Sequence, residues 1–384
     1  MSDIVKGDSV IYLDNNATTR VAPEVVEVML PLFSELYGNA SSMHTFGGQM
    51  SHFVNEARAN VAGLLGARPE EIVFTSCGTE SDSTAVFSAV ETQPEKKHFI
   101  TTRVEHPAVI ALGNLLEKRG YDVTWLGVDS RGRLDLDELA RSIRKDTALV
   151  SIMYANNETG TVFPVDDIAR IVKERGALLH VDAVQAWMRV PIKLDNIDTM
   201  AVSGHKIHAP KGIGALYLSD RLVQAFQPPY LGGEQERGLR PGTENLPYAL
   251  GLAAAATRLA GSIKSRDKAV RALNDRLRAG LSVFPEVEIN SPAGAVPEVL
   301  NFSENCIKSE TMLAWLSERQ IYVSSASACG RGQPSHTLAA MGRDPLAIDT
   351  AIRVSFCADN TPEDVDAFLE RFEDGMKHLQ RIKK

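Results

Sequence analysis

Short apolar runs alternate with longer amphipathic ones along this chain. Runs rich in Val, Ile, Leu and Thr read as strands at Ile72–Thr75, His98–Thr102, Val123–Leu126, Ala148–Met153, Leu178–Asp182, Thr199–Ser203 and Ala215–Leu218. Between them, apolar positions recur at helical spacing over Pro23–Leu36, Ser81–Val90, Pro107–Arg119, Leu136–Ile143 and Val165–Arg175. Nearly continuous apolar strands separated by helices predict an α/β domain built on a mostly parallel, seven-stranded sheet. The pattern changes near residue 260. A helical stretch from Leu246 to Leu281 carries the run Ala253–Ala256 and then many Lys and Arg. Two short strands follow, Glu298–Phe302 and Ile321–Ser324, with helices at Lys308–Arg319 and Pro362–Lys377. This part reads as a smaller α+β lobe. The expected division is a large domain over 18–260 and a small one made of 1–17 and 261–384.

Composition narrows the function classes. With 384 residues, 44% hydrophobic and 23% charged, the chain has room for two lobes and resembles an ordinary globular enzyme. The net charge of −8 argues against direct nucleic-acid binding, and the basic end Lys377–Lys384 is too short to reverse that. Met1–Val10 contains no apolar run long enough for a membrane span or a leader, so the expectation is a cytoplasmic protein with no membrane contact. Four cysteines, Cys77, Cys306, Cys329 and Cys357, show no C-x-x-C spacing. They imply neither a disulfide framework nor a metal site, and each thiol is either a small core residue or a reactive one.

Candidate chemistry gathers where strands end, the usual place for ligands in open α/β sheets. Val202-Ser-Gly-His-Lys-Ile207 presents Lys206 after a strand, where desolvation favours a neutral, aldehyde-capturing amine. Leu178-Leu-His-Val-Asp182 ends in a carboxylate able to pair with a protonated pyridine nitrogen, and Gln185 follows within reach of a ring oxygen. Ile72-Val-Phe-Thr-Ser-Cys-Gly-Thr-Glu-Ser81 runs from a strand through small residues into a helix start, which suits a phosphate. It lacks the Walker and G-x-G-x-x-G spacings. His106 follows another strand and precedes Pro107, a helix opener. Each of these also admits a plain structural reading: a surface lysine, an N-cap aspartate, a turn, a core histidine.

With these residues in hand, the chain resembles the class V aminotransferase-like, fold-type I enzymes, most closely the NifS/IscS-type cysteine desulfurases. The resemblance runs over almost the full length. It is carried by Tyr12-Leu-Asp-Asn-Asn-Ala-Thr-Thr19, Tyr37-Gly-Asn-Ala-Ser-Ser42, Phe74-Thr-Ser-Cys-Gly-Thr-Glu80, Glu105-His-Pro107 and Asn156-Asn-Glu-Thr-Gly160. It continues through His180-Val-Asp-Ala-Val-Gln185, Ser203-Gly-His-Lys206, Gly232–Gly238, Arg240–Asn245, Ser324-Ser-Ala-Ser-Ala-Cys329 and Ile352-Arg-Val-Ser355. The resemblance implies pyridoxal 5′-phosphate as cofactor, held by Lys206 as a Schiff base. Asp182 would face the pyridinium, Gln185 the phenolic oxygen, and His106 would stack on the ring and shuttle protons. Gly78, Thr79, Ser203 and His205 match phosphate binders. Thr243 matches a residue that reaches the phosphate of a partner subunit, implying a homodimer. Asn157 and Arg353 match groups that hold the substrate carboxylate, and Cys329 matches the nucleophile that accepts sulfur. The implied reaction converts L-cysteine to L-alanine with a persulfide on Cys329, passed on to an acceptor protein in iron–sulfur cluster assembly, tRNA thiolation or DNA phosphorothioation.

Two stretches depart from the family. Cys329-Gly-Arg-Gly-Gln-Pro334 is shorter than the long cysteine loop of IscS-like members and is similar to that of DndA-like enzymes. The expectation is a Cys329 that rests away from the cofactor until the substrate binds. Phe356-Cys-Ala-Asp-Asn360 stands where many relatives read Leu-Gly-Arg-Phe, so the carboxylate contact falls to Arg353. The alternatives are a selenocysteine lyase, another fold-type I activity such as an aminotransferase, or a scaffold without catalysis. Cys329 argues against a transaminase, which needs no thiol. Cys77, Cys306 and Cys357 read as structural thiols.

Overall fold

The computed structural model describes residues 10–325 and 334–382. Cys329, and with it the expected resting position of its thiol, lies outside the described residues.

Seven strands form the main sheet: β1 (Ile72–Thr75), β2 (His98–Thr102), β3 (Asp122–Leu126), β4 (Thr147–Met153), β5 (Leu178–Asp182), β6 (Thr199–Ser203) and β7 (Gly214–Leu218). Their order is β1-β7-β6-β5-β4-β2-β3, and all neighbours are parallel except β7, which runs antiparallel to both β1 and β6. Six of the strands are buried at every position. That is the physical consequence of helices covering both faces of a parallel sheet, and it accounts for the near-continuous apolar runs. The edge strand β3 is the exception, mostly half-exposed.

Helix boundaries follow local chemistry. The span predicted as one helix over Pro23–Leu36 is two pieces, Pro23–Met29 and Pro31–Ser34, because Pro31 offers no backbone N–H to continue the first. The stretch from Leu246 to Leu281 also divides, into Leu246–Ala260 and Ile263–Leu281, across Gly261 and Ser262. A helix over Thr45–Leu65 was not singled out from the sequence; it buries Met50, Val54, Val61 and Leu65 along one face and packs on Leu246–Ala260.

Beyond residue 260, four short strands make an antiparallel sheet in the order Ser324–Ser325, Ala351–Ser355, Val299–Ser303, Glu288–Ile289. The N-terminal Ile11–Tyr12 pairs in parallel with Ile321–Tyr322. One core cluster accordingly joins Leu13 to residues such as Leu277, Phe302, Phe368 and Phe372. No helix among the described residues is long and apolar enough to cross a membrane.

Candidate active site

The carboxyl ends of β2, β4, β5 and β6, together with the turn after β1, surround a cavity of ≈ 270 Å³. The chain turns here because parallel strands must hand over to their crossover helices at this edge. Lys206, Asp182, Gln185, His106, Ser203, His205, Gly78, Thr79, Asn157 and Arg353 all line this cavity. Residues as far apart in sequence as Gly78 and Arg353 therefore share one site.

Lys206 ends a short 3-10 turn, Gly204–Lys206, that follows β6. Gly204 is needed there: a Cβ would lie 2.8 Å from Ile213 Cγ2. Lys206 Nζ donates to the carbonyls of Asn16 at 2.6 Å and Ala17 at 2.9 Å. Those two carbonyls fix the direction of the amine. Neither residue was proposed from the sequence as part of the site, although both lie in the Tyr12–Thr19 stretch.

Asp182 closes β5. It is buried, and its Oδ1 accepts from Val184 N at 2.9 Å. Burial raises its pKa above the ordinary carboxylate value, opposed by the neighbouring His106, the Val184 bond and the charge of Lys206. Behind it lies a buried pair, His180 Nε2 to Asp82 Oδ1 at 3.1 Å, with His180 Nδ1 on Thr199 Oγ1 at 2.8 Å. Burial drives His180 down to about 3 and raises Asp82 well above the usual carboxylate range. Both groups favour their neutral forms, so this pair adds no net charge beneath Asp182.

His106 is the N-cap of α1 (Pro107–Lys118), with Ala108 N donating to its Nδ1 at 3.2 Å. Burial lowers its pKa, with Asp182 opposing and Lys206 and His336 reinforcing. The neutral ring therefore carries its proton on Nε2. Burial likewise brings His205 down to about 4, and its Nδ1 meets Thr18 Oγ1 at 3.2 Å.

Arg353 is buried, donating through Nη2 to Asp14 Oδ1 at 2.9 Å and through Nη1 to the Asn157 carbonyl at 3.0 Å. Its Nε is buried with no partner among the described residues. Asp14 is thus a neighbour of the site that residue-by-residue reasoning did not propose. Cys77, read from the sequence as a structural thiol, lines the cavity as well. Thr243 does not: it borders a different cavity with Tyr230, Leu231 and Arg240.

A family model for aminotransferase class V matches residues 11–368. A cysteine desulfurase from Nostoc sp. is 50% identical over 97% of this chain and 94% of its own length. A solved NifS-like protein superposes with a TM-score of 0.92 at 40% identity, covering 97% of this chain and 100% of its own. DndA from Streptomyces lividans superposes with a TM-score of 0.77 at 34% identity, covering 92% of this chain and 99% of its own. The chain belongs to the aminotransferase class-V family, whose cofactor is pyridoxal 5′-phosphate.

The residues present fit that cofactor. Ser203 Oγ and Gln185 Oε1 are buried at the cavity with no partner among the described residues, as groups waiting for a polar ligand would be. The helix Gly78–Glu91 starts here with no side-chain cap from Cys77, so its first N–H groups are left for an anion. A Cβ at Gly78 would come 2.7 Å from Val184 Cγ2, so only glycine keeps this approach open.

Proposed function

We infer that this chain is a cysteine desulfurase that uses pyridoxal 5′-phosphate to take the sulfur of L-cysteine, leaving L-alanine and a persulfide on Cys329. The observation that carries this reading is the gathering of an amine (Lys206), a buried carboxylate (Asp182), a neutral histidine (His106) and an arginine (Arg353) around one cavity. Identity of 50% to a cysteine desulfurase along 97% of the chain supports it.

Held at Lys206, the cofactor supplies an electron sink for the pair released at the substrate Cα. The protein's own groups do the rest. Asp182 would balance positive charge at the ring nitrogen, and Gln185 would serve the ring oxygen. Ser203, His205 and the N–H groups of Gly78 and Thr79 would hold the phosphate. Arg353 and Asn157 hold the substrate carboxylate, with Asp14 fixing the guanidinium's orientation. Lys206 Nζ takes the Cα proton, and His106 moves protons through Nε2. At sulfur, the substrate Cβ–S bond breaks and an S–S bond to Cys329 forms. The thiol sulfur is oxidised, and Cβ is reduced and takes a proton to become the methyl of alanine.

The reading includes two lobes, 18–260 and 1–17 with 261–384; the core cluster joining Leu13 to residues beyond 260 supports that division. It also includes a homodimer in which Thr243 serves the partner's phosphate. Thr243 lies beside Tyr230 and the 93% exposed Leu231, apart from its own subunit's cofactor cavity. The persulfide goes to an acceptor protein. We favour iron–sulfur assembly, since the likeness to the NifS-like structure exceeds that to DndA. The cytoplasm suits this chemistry because a transferable persulfide and the free thiols of Cys77, Cys306 and Cys357 belong in a reducing compartment.

The test is direct. Purified protein with cofactor should yield alanine and, with a reductant, sulfide from L-cysteine. Cys329→Ala should keep the visible absorption of the bound cofactor and its change on adding cysteine, yet form no persulfide. Wild-type protein that releases neither product would overturn the reading.

A further inference from the structure

Six residues after Cys329, the chain is tied to the large sheet at two points. Ser335 Oγ donates to Glu158 Oε2, and the same hydroxyl accepts from Leu338 N at 3.0 Å. Next to it, His336 Nε2 donates to the carbonyl of Glu105 at 2.8 Å. The first contact is deeply enclosed, with Glu158 at 4% and Ser335 at 2% exposure.

Both acceptors sit in turns that line the substrate cavity. Glu158 follows Asn157, and Glu105 precedes His106. Asn156 locks the two turns together: its Oδ1 accepts from the N–H groups of Glu158 and Thr159, each at 2.9 Å, and its Nδ2 donates to the Val104 carbonyl at 2.9 Å. The segment downstream of Cys329 is thus fastened to a braced pair of cavity walls.

Stability alone gives a poor account of the contact. A carboxylate this buried is costly, and burial raises its pKa, with Ser335 the largest counterweight. An apolar residue at position 158 would avoid that cost.

We propose that Ser335, His336 and Glu158 form a two-point clamp that positions the Cys329 segment for sulfur transfer. The proposal rests on the desulfurase reading above. The three are positioning residues: none of them lines the cavity, and they set where the chain bearing the nucleophile is anchored. Misplacing a reacting atom by about 1 Å costs on the order of 10²-fold in rate, so a short tether makes its anchor matter.

The experiment separates binding from transfer in the holoenzyme. In single-turnover mixing with L-cysteine, the cofactor's spectral change reports substrate capture, and mass spectrometry of quenched samples reports persulfide on Cys329. Ser335→Ala is expected to slow persulfide formation by about tenfold or more while leaving the spectral change and KM for cysteine near wild type. Glu158→Gln retains an acceptor oxygen for Ser335, so it should stay much closer to wild type than Ser335→Ala. His336→Ala, at the half-buried second point, should show the same split as Ser335→Ala. A wild-type persulfide rate in both Ser335→Ala and His336→Ala overturns the clamp. So does a parallel fall in spectral change and persulfide rate, which marks a general structural role. If wild-type protein captures cysteine yet forms no persulfide on Cys329, the desulfurase reading itself has failed.

Discussion

At the scale of the residue, burial decides protonation around the cavity. Burial raises the Asp182 pKa as it raises that of Asp82, but only Asp182 has His106 and the Lys206 ammonium beside it to oppose the rise. The neighbouring Asp82–His180 pair is pressed toward neutrality. This division lets Asp182 act as the counter-charge while its neighbour only packs. Asp182→Asn keeps the shape and removes the charge. Turnover to alanine should drop by about 10²–10³-fold, comparable to losing one preorganised electrostatic contact, while cofactor absorption persists. Unchanged alanine release would refute the assignment. Glu105 gives a pH test. Burial, aided by Asp182, pushes its carboxyl up to about 8, against the pull of bonds from Thr102 and Met153 N. The folded protein holds a proton that the unfolded chain releases near the ordinary carboxyl value of 4.5. Glu105 therefore contributes stability that is full below that value and is lost as pH rises through about 8. Melting temperature should fall across this window, and Glu105→Gln should flatten the fall. Equal slopes in both proteins would count against the buried proton.

At the scale of the element, the segment before Thr243 is held by a buried ion pair beside the apolar anchor of Leu239, which packs with Val73, Leu216 and Phe226. Glu236 has a left-handed backbone (φ 49) and accepts from Arg58 Nη1 at 2.5 Å, from Nη2 at 2.7 Å and from Phe74 N at 2.9 Å. Both side chains are nearly inaccessible, at 7% and 4%. Glu236→Ala strands a buried guanidinium and should cost about 3–5 kcal/mol, read by denaturant unfolding. A loss under 1 kcal/mol, typical of an exposed pair, would mean that water already reaches Arg58. Elements were legible where pattern and breaker agreed: all seven strands of the main sheet and the helix at Pro107 follow directly from apolar runs and a proline opener. Thr45–Leu65 was not, because its buried face mixes Gly47 and the charged Arg58 with the apolar residues. The reversed direction of β7 was not legible either, since an apolar run reads the same both ways.

At the scale of the whole molecule, exposed apolar side chains bear on the proposed homodimer. Leu30, Phe33, Tyr37 and Met43 are exposed along one stretch of sequence, Tyr37 at 71%, while Tyr230 and Leu231 are exposed beside Thr243. Such residues suit the proposed contact between subunits. Leu231→Asp together with Phe33→Asp should shift sedimentation toward the monomer and weaken cofactor retention, as the proposed role of Thr243 across the dimer requires. A monomeric wild-type protein would rule that role out.

The amino-acid sequence by itself determined the class of fold, the family and the chemical cast, because strand ends, a helix-start turn and matching motifs are all local features. It named Lys206, Asp182, His106 and Arg353 one by one. Only the tertiary structure decided their company: the Asn16 and Ala17 carbonyls on Lys206, Asp14 on Arg353, the neutral pair beneath Asp182, and the Ser335–Glu158 tie downstream of Cys329. The physical reason is range. A motif reports what neighbouring residues can do, whereas protonation and orientation depend on dielectric surroundings and on partners brought from 98 to 339 residues away.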